Sequence, residues 1–126
     1  MNLFLDTHIL LWWLDDNASL SAAAREVIAD TDNIVILSAA VIWEIRVKQA
    51  IGKLNIAPDV YDVIKNEGFE MLSVTPDHAF AVGDLPMHHR DPFDRILIAQ
   101  AMLEGFTIVT HDAIFNKYPV PILSVG

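Results

Sequence analysis

The chain has 126 residues, of which 53% are hydrophobic and 20% are charged, and this composition excludes a disordered tail or a collagen-like chain. Its 17 acidic and 8 basic residues give a formal net charge of −9, which excludes a protein that binds polyanions through bulk positive charge. The chain has no cysteine, so disulfides, thiolate zinc sites and cysteine nucleophiles are excluded as well.

Short apolar runs alternate with helical patterns along the whole chain. In chain order, the sequence predicts a strand at 3–5, helices at 9–14 and 22–29, a strand at 34–37, helices at 39–51 and 58–67, a strand at 69–74, helices at 77–82 and 92–104, and strands at 107–110 and 121–123. Strands that alternate with helices are typical of an α/β domain with a mostly parallel sheet. Because we find no linker or internal repeat, we expect a single domain spanning residues 1–126.

Residues that favour helix ends stand at several of these boundaries. Ser21 and Ser38 precede helices at the N-cap position. Thr75 and Asp91 do the same, and each is followed by a proline, which is favoured at the first helical position. Gly105 follows the last helix, where a left-handed residue commonly ends a helix.

The sequence contains no pattern that would direct the chain into a membrane. Its longest wholly apolar run, at 9–14, is far shorter than the ~20 residues that span a bilayer. The N-terminus has no basic region, and Asp6 would interrupt a signal-peptide core. We therefore expect a soluble, cytoplasmic protein.

Four acidic residues fall near one predicted edge of the sheet. Asp6 directly follows the first strand, and Asp112 lies two residues past the strand at 107–110. Asp94 lies in the first turn of the helix that leads into that strand, and Glu44 lies about two turns into the helix that leaves the second strand. Ligands of open parallel sheets bind beyond the carboxyl ends of the strands. We expect the three aspartates at that edge, and the glutamate joins them if its helix leans over the same rim.

Clustered carboxylates require a partner of opposite charge. Without one they repel each other and raise each other's pKa. Carboxylate oxygens are hard ligands that suit Mg²⁺ or Mn²⁺. Two such ions about 4 Å apart could activate water and stabilise the leaving oxygen in phosphodiester cleavage. A true cluster of these four acids therefore predicts a site for divalent metal.

Each acid taken singly also has a purely structural interpretation. Asp6 could cap the helix that follows it, and Asp94 could interact with the dipole of its own helix. Glu44 and Lys48 are four residues apart, as in an ordinary surface ion pair on a helix. Asp112 could be a plain turn residue. These alternatives stay open until the residues are placed in space.

Four segments of the chain match the motifs of one family, in that family's order. They are FLDTHILLW at 4–12, SAAVIWEI at 38–45, HRDPFDRILIAQA at 89–101 and TIVTHD at 107–112. Together they resemble the PIN domain, and more narrowly the VapC-type toxins of bacterial type II toxin–antitoxin modules. The resemblance covers essentially the whole chain, and the third segment is its longest and most specific part.

The resemblance implies a three-layer α/β/α domain with a central sheet of four to five strands. It implies a metal-dependent endoribonuclease that cleaves structured RNA such as tRNA or ribosomal RNA. It assigns both catalysis and the binding of Mg²⁺ or Mn²⁺ to Asp6, Glu44, Asp94 and Asp112. It also implies a small VapB-type antitoxin as the usual partner of the toxin, and a homodimer as a common assembly of it.

For the metal we expect a position between Asp6 and Asp94, with the other two carboxylates as direct or water-mediated ligands. One of the four carboxylates would orient or deprotonate the attacking water. His88 and His89 are expected to be loop residues rather than ligands, because hard cations prefer oxygen.

Four further residues are candidates for substrate binding. Thr7 and Thr110 stand beside the acids, where their hydroxyls could bind substrate or simply cap the ends of helix and strand. Arg90 and Arg95 flank the last acidic motif and could bind RNA phosphates. Arg95 could instead form a helical pair with Asp91.

The helix at 9–14 is apolar on every side, which is more than a monomer of this size needs. Because one face must pack on the sheet, the other face is expected to include Trp12 or Trp13. We expect that face to form part of an antitoxin groove or a subunit interface. Burial under the following helix is the alternative.

Other functions fit the sequence less well or differ only in detail. A receiver domain would need an acidic neighbour for Asp6 and an aspartate where Ser38 ends the second strand. A phosphatase with an aspartyl nucleophile would need a second aspartate in place of His8. A PIN nuclease of RNA maturation, a DNA-directed PIN nuclease, and a PIN module that binds RNA or a partner without cleaving it remain alternatives.

Overall fold

The computed structural model describes residues 1–125, and its centre is a five-stranded sheet in which every neighbouring pair is parallel. The strands, in chain order, are β1 (Asn2–Leu5), β2 (Ile34–Ser38), β3 (Glu70–Leu72), β4 (Thr107–Thr110) and β5 (Ile122–Ser124). Their order across the sheet is β3-β2-β1-β4-β5. The predicted parallel sheet is therefore confirmed, at the upper end of the expected strand number.

Six α-helices pack around this sheet in a three-layer α/β/α fold. They are α1 (Thr7–Leu14), α2 (Ala22–Ala29), α3 (Ala39–Ala50), α4 (Val60–Asn66), α5 (Pro76–Ala81) and α6 (Pro92–Glu104). Two short 3₁₀ helices, neither of which the sequence predicts, cover Val82–Asp84 and Ala113–Lys117. β3 is shorter than the predicted strand because, as an edge strand, it pairs only with β2.

The middle of the sheet is its most deeply buried part. The side chains of Leu3, Phe4 and Leu5 in β1, and of Ile108 and Val109 in β4, are fully buried. This is what continuous apolar runs predict for strands that are paired on both sides and covered on both faces. From β1 the chain moves outward to β2 and β3, whereas β4 lies on the other side of β1 and continues to β5. The boundary between β1 and β4 is thus a topological switch point, the place where open α/β sheets bind ligands.

The start of α6 is fixed by local chemistry. Asp91 is the N-cap, and its Oδ1 accepts hydrogen bonds from the backbone N–H groups of Phe93 (2.8 Å) and Asp94 (3.0 Å). Pro92 occupies the first helical position, as predicted. Gly105 ends the helix with φ of 75°, a left-handed conformation that an L side chain would strain. Because Asp91 supplies the cap, the carboxylate of Asp94 is available for another role.

No helix within residues 1–125 is both long and apolar enough to cross a membrane.

Candidate metal centre

Asp6 lies at the switch point, directly after β1, and it is 4% exposed. Its Oδ1 accepts a hydrogen bond from the backbone N–H of Ile9 (2.9 Å), so Asp6 does cap α1. Its Oδ2 accepts a short hydrogen bond from the Thr110 hydroxyl at the end of β4. One carboxylate therefore caps a helix and joins the two central strands, and the structural interpretation of Asp6 does not exclude the functional one.

Asp94 and Asp112 lie close together on the β4 side of this point. The ligand atoms of Asp94, Asp112 and His89 all lie within 4.8 Å of one another. His89 Nε2 is 2.7 Å from Asp94 Oδ2. The backbone N–H of Asp112 donates to Thr110 Oγ1 (3.1 Å), so the same hydroxyl group contacts Asp6 and the Asp112 turn. Thr110 thus connects this cluster to Asp6.

Glu44 enters the region from α3 and is 4% exposed. Its Oε1 accepts a hydrogen bond from the Thr7 hydroxyl (2.6 Å), and its Oε2 forms an ion pair with Lys48. The hydrogen bond that Lys48 Nζ donates to Glu44 raises the pKa of Lys48, and the charges of Asp91 and Asp94 act in the same direction. The ion pair between Glu44 and Lys48 that the sequence predicts therefore exists, and it faces the aspartates of the site. Glu44 itself is not a member of the closely spaced group formed by His89, Asp94 and Asp112.

Burial makes this collection of carboxylates costly when no cation is bound. Desolvation raises the pKa of Asp6, against the lowering effect of its hydrogen bonds to Thr110 and Ile9. Desolvation also raises the pKa of Asp94 from its usual value of 3.8 to about 6, with the charges of Asp91 and Asp6 adding to it. A divalent cation would relieve both effects, and carboxylate oxygens are its preferred ligands. The donor set therefore fits Mg²⁺ or Mn²⁺.

The metal-free protein is expected to lose stability as the pH rises from about 4 to about 6. Asp94 has a higher pKa in the folded state, so the unfolded chain loses this proton first and the folded state binds more protons across that range. The free energy of unfolding should fall by about 2 kcal/mol from this group. Urea denaturation in EDTA at several pH values measures it.

The control for this pH dependence is Asp94→Asn, which cannot titrate. In that variant the fall between pH 4 and 6 should shrink to the part that comes from Asp6, whose pKa is also raised by burial. A stability that rises through this range in the wild-type protein would contradict the prediction.

The structure places the hydroxyl groups of Thr7 and Thr110 against carboxylates, and their contact with substrate stays a prediction. Both side chains are buried, with exposures of 6% and 1%. Their hydroxyl groups donate to Glu44 and Asp6 rather than pointing to open space. They orient the carboxylates, which is a role that the sequence interpretation did not consider.

The structure places Arg95 in the interior, and its contact with RNA stays a prediction. Its side chain is 8% exposed, and its guanidinium donates to four backbone carbonyl groups. These belong to Val82, Leu85, Pro86 and His89, at 3.0 to 3.2 Å. Arg95 holds the loop that precedes α6 through these four contacts. Arg90, by contrast, is exposed, and its contact with RNA stays a prediction.

Two residues near the acids were not among the predicted site residues. The position of Lys48, four residues after Glu44, predicts an ion pair between the two residues. This spacing does not indicate whether the pair faces the acids or the solvent. His89 lies in a loop, as the sequence predicts. Only the path of that loop brings its ring to Asp94, and nothing local in the sequence reports such a path.

Two depressions meet at Trp12. An acidic pocket of about 360 Å³ is lined by Asp6, His8, Trp12, His111, Asp112 and Ala113. An apolar groove of about 400 Å³ is lined mainly by Leu11, Trp12, Leu14, Leu54, Ile56, Val60 and Val63. Trp12 contributes to both, and its ring packs edge-on against His111 with centroids 5.2 Å apart. A ligand lying in the groove would therefore border the acidic pocket.

Comparison with known proteins places this geometry in a family. The family model described as PIN domain matches residues 3–121. Ribonuclease VapC22 of Mycobacterium tuberculosis (strain ATCC 25618 / H37Rv) is 28% identical over 129 residues, which cover 94% of each chain.

Solved structures with the same fold include two toxin–antitoxin complexes. One is VapBC2 from Rickettsia felis bound to a DNA fragment from its promoter, with 17% identity, full coverage of both chains and a TM-score of 0.77. The other is DNA-bound VapBC from Salmonella typhimurium, with 18% identity, 98% coverage of both chains and a TM-score of 0.74.

Proposed function

This chain belongs to the PIN domain family, and from that premise we propose that it is a metal-dependent endoribonuclease, the toxin of a type II toxin–antitoxin module. Its substrate would be structured RNA such as tRNA or ribosomal RNA, met in the cytoplasm. The observation that carries the proposal is the group of carboxylates at the switch point of the sheet, of which Asp6 and Glu44 are buried, Asp94 is half-buried and Asp112 is exposed. The similarity to Ribonuclease VapC22 supports the same activity.

In this proposal Asp94 and Asp112 hold the metal together with Asp6, and Glu44 is a direct or water-mediated ligand from α3. A bound Mg²⁺ or Mn²⁺ would supply an activated water and would stabilise charge on the scissile phosphate. The Thr110 hydroxyl and the Ile9 N–H fix the two oxygens of Asp6 before the ion arrives.

Asp112 is the exposed carboxylate of the group and lines the acidic pocket. Its Oδ1 accepts from the backbone N–H of Ile114 (3.0 Å), which holds the side chain in place. We assign to Asp112 the orientation of the attacking water. The exposed Arg90, beside the Asp91–Asp94 turn, would bind an RNA phosphate.

Cleavage of total cellular RNA by the purified protein tests this proposal. We expect discrete products with Mg²⁺ or Mn²⁺, none with EDTA, and none with Asp6→Asn. Asparagine keeps an oxygen for the Ile9 N–H, so this variant should retain the cap of α1 and fold normally. Mapping of the product ends identifies the RNA. Absence of cleavage by folded, antitoxin-free protein with either metal would favour a PIN module that binds without cutting.

We also propose that a VapB-type antitoxin lies in the apolar groove and reaches the acidic pocket across Trp12. The groove is lined by aliphatic side chains from α1, α4 and the segment before α4, which suits the apolar face of a helix. The structural neighbours are VapBC complexes, which supports a partner of this type. Trp13 has internal partners instead, because its indole N–H donates to Glu67 (3.2 Å) and Arg25 lies 5.9 Å from the centre of its ring.

Trp12→Gln is expected to weaken antitoxin binding at least tenfold, because a half-buried aromatic ring at the centre of an interface contributes about 2 kcal/mol or more. Calorimetric titration with the antitoxin from the neighbouring gene measures this. The matched control is Trp43→Gln, because Trp43 is 61% exposed on α3 and does not line the groove. Undiminished binding by Trp12→Gln would remove Trp12 from the interface.

A homodimer belongs to the same proposal, as it is common among VapC-type toxins. Light scattering coupled to size-exclusion chromatography, with and without the antitoxin, determines the assembly state.

A further inference from the structure

The ring of His89 is held against Asp94 by the backbone on both sides of it. The backbone N–H of His89 donates to the Tyr118 hydroxyl oxygen (2.8 Å), and the backbone carbonyl of His89 accepts from Arg95 Nη1 (3.1 Å). The ring itself packs edge-on against Phe115, with centroids 5.9 Å apart. These contacts fix both the backbone and the ring of His89.

The groups that hold His89 are themselves fixed in the interior. The Tyr118 hydroxyl donates to the Pro86 carbonyl (2.7 Å), and Arg95 Nη1 donates to the same carbonyl (3.0 Å). Tyr118 and Arg95 are both buried, with exposures of 4% and 8%. This frame places the imidazole, 18% exposed, at a fixed position beside the carboxylates before any ligand binds. Metal ligands that are preorganised in this way lose little entropy on binding.

We propose that His89 is a direct nitrogen ligand of the metal, together with Asp94 and Asp112, and that it makes the site select Mn²⁺ over Mg²⁺. This inference rests on the proposed function, because it concerns the same metal site. The three ligand atoms already lie within 4.8 Å of one another, which is close to the span of ligands around one ion. Mg²⁺ takes oxygen ligands almost exclusively, whereas Mn²⁺, although it also prefers oxygen, is a first-row transition ion and accepts an imidazole nitrogen more readily than Mg²⁺ does.

Selection between the two ions follows from this ligand set. The oxygen ligands serve Mg²⁺ and Mn²⁺ about equally well in size and charge, so they discriminate weakly. The nitrogen adds binding free energy mainly to the transition ion. Loss of the ring should therefore reduce Mn²⁺ affinity more than Mg²⁺ affinity.

Calorimetric titration of the metal-free protein with MnCl₂ and with MgCl₂ tests the selection. We expect His89→Gln to weaken Mn²⁺ binding at least tenfold and Mg²⁺ binding less than threefold. His88→Gln is the matched control, since His88 is exposed and also packs on Tyr118, at 5.4 Å between centroids. It should leave both affinities unchanged. Circular dichroism and a urea titration check that both variants are folded.

Electron spin-echo spectroscopy of the Mn²⁺-loaded protein tests direct ligation without reference to activity. The wild type and His88→Gln should show coupling to an imidazole ¹⁴N, and His89→Gln should not. Absence of this coupling in the wild type would overturn the proposal. Equal weakening of Mn²⁺ and Mg²⁺ in His89→Gln would overturn it too, because His89 would then only position Asp94.

These outcomes are separate from those that decide the nuclease activity. A wild type that shows nitrogen coupling but cleaves no RNA would contradict the proposed function and leave the nitrogen ligand standing. A wild type that cleaves RNA but shows no nitrogen coupling would support the proposed function and contradict the nitrogen ligand.

Discussion

Asp94→Asn is expected to lower RNA cleavage about 1,000-fold or more while the metal-free protein stays folded. Asp94 provides one of the oxygens in the closely spaced group, and its loss removes a negative charge from the site that holds the cation. A thousandfold loss corresponds to about 4 kcal/mol of transition-state stabilisation, which is within the contribution of a catalytic metal. Single-turnover cleavage of the mapped RNA under saturating Mg²⁺ or Mn²⁺ measures it.

The stability of the variant separates a lost ligand from a damaged fold. Asp91, rather than Asp94, caps α6, so asparagine at 94 should not weaken the helix. At pH 7 without metal, the variant should be more stable than the wild type, because burial and neighbouring charges make the ionised Asp94 unfavourable. Denaturation by urea in EDTA provides the comparison.

Asp91→Asn is the matched control for activity. It makes the same chemical change three residues earlier, and asparagine is as good an N-cap as aspartate. Cleavage by this variant should stay within a few-fold of the wild type. Comparable losses in both variants, or activity that survives Asp94→Asn, would contradict the assignment of Asp94 to the metal.

Arg95→Met is expected to destabilise the fold by about 3–5 kcal/mol. Methionine keeps much of the apolar stem but removes a buried guanidinium that donates to the carbonyls of Val82, Leu85, Pro86 and His89. Buried acceptors that lose a charged donor keep the full cost of their desolvation. The free energy of unfolding, from urea titration with an unchanged m-value, is the quantity to compare.

Arg90→Met is the corresponding control on the same loop. Arg90 is exposed, so its replacement should change the stability by less than about 0.5 kcal/mol. It should instead weaken RNA binding, if Arg90 contacts a phosphate as proposed. A loss below about 1 kcal/mol in Arg95→Met would show that the loop is held by other contacts.

Most of the fold could be predicted from local patterns because those patterns carry their own physical cause. Continuous apolar runs at 3–5 and 107–110 indicated the two central strands, since only strands covered on both faces need no polar side. Asp91 and Gly105 marked the ends of α6, since they satisfy backbone groups that a helix leaves free. Edges that depend on distant partners, such as those of β3, were predicted less well.

The acids of the candidate site were predicted by a topological rule. Residues after parallel strands share one edge of the sheet, so Asp6 and Asp112 could be placed near each other without knowledge of any contact. The rule does not predict the direction in which a side chain on a neighbouring helix points. Whether Glu44 turns toward the acids or toward solvent depends on how α3 packs against α6 and α1, which no local pattern encodes.

The sequence alone was therefore enough to predict the succession of strands and helices along the chain, the helix caps, and the edge of the sheet at which the aspartates lie. Each of these follows from interactions within a few residues or from the parallel direction of the strands. The tertiary structure alone decided that Arg95 is buried beneath a loop, that Thr7 and Thr110 serve carboxylates, and that His89 faces Asp94. Those outcomes depend on which carbonyl, hydroxyl or carboxylate groups the folded chain brings within hydrogen-bonding distance, and such long-range pairings leave no periodic trace in the sequence.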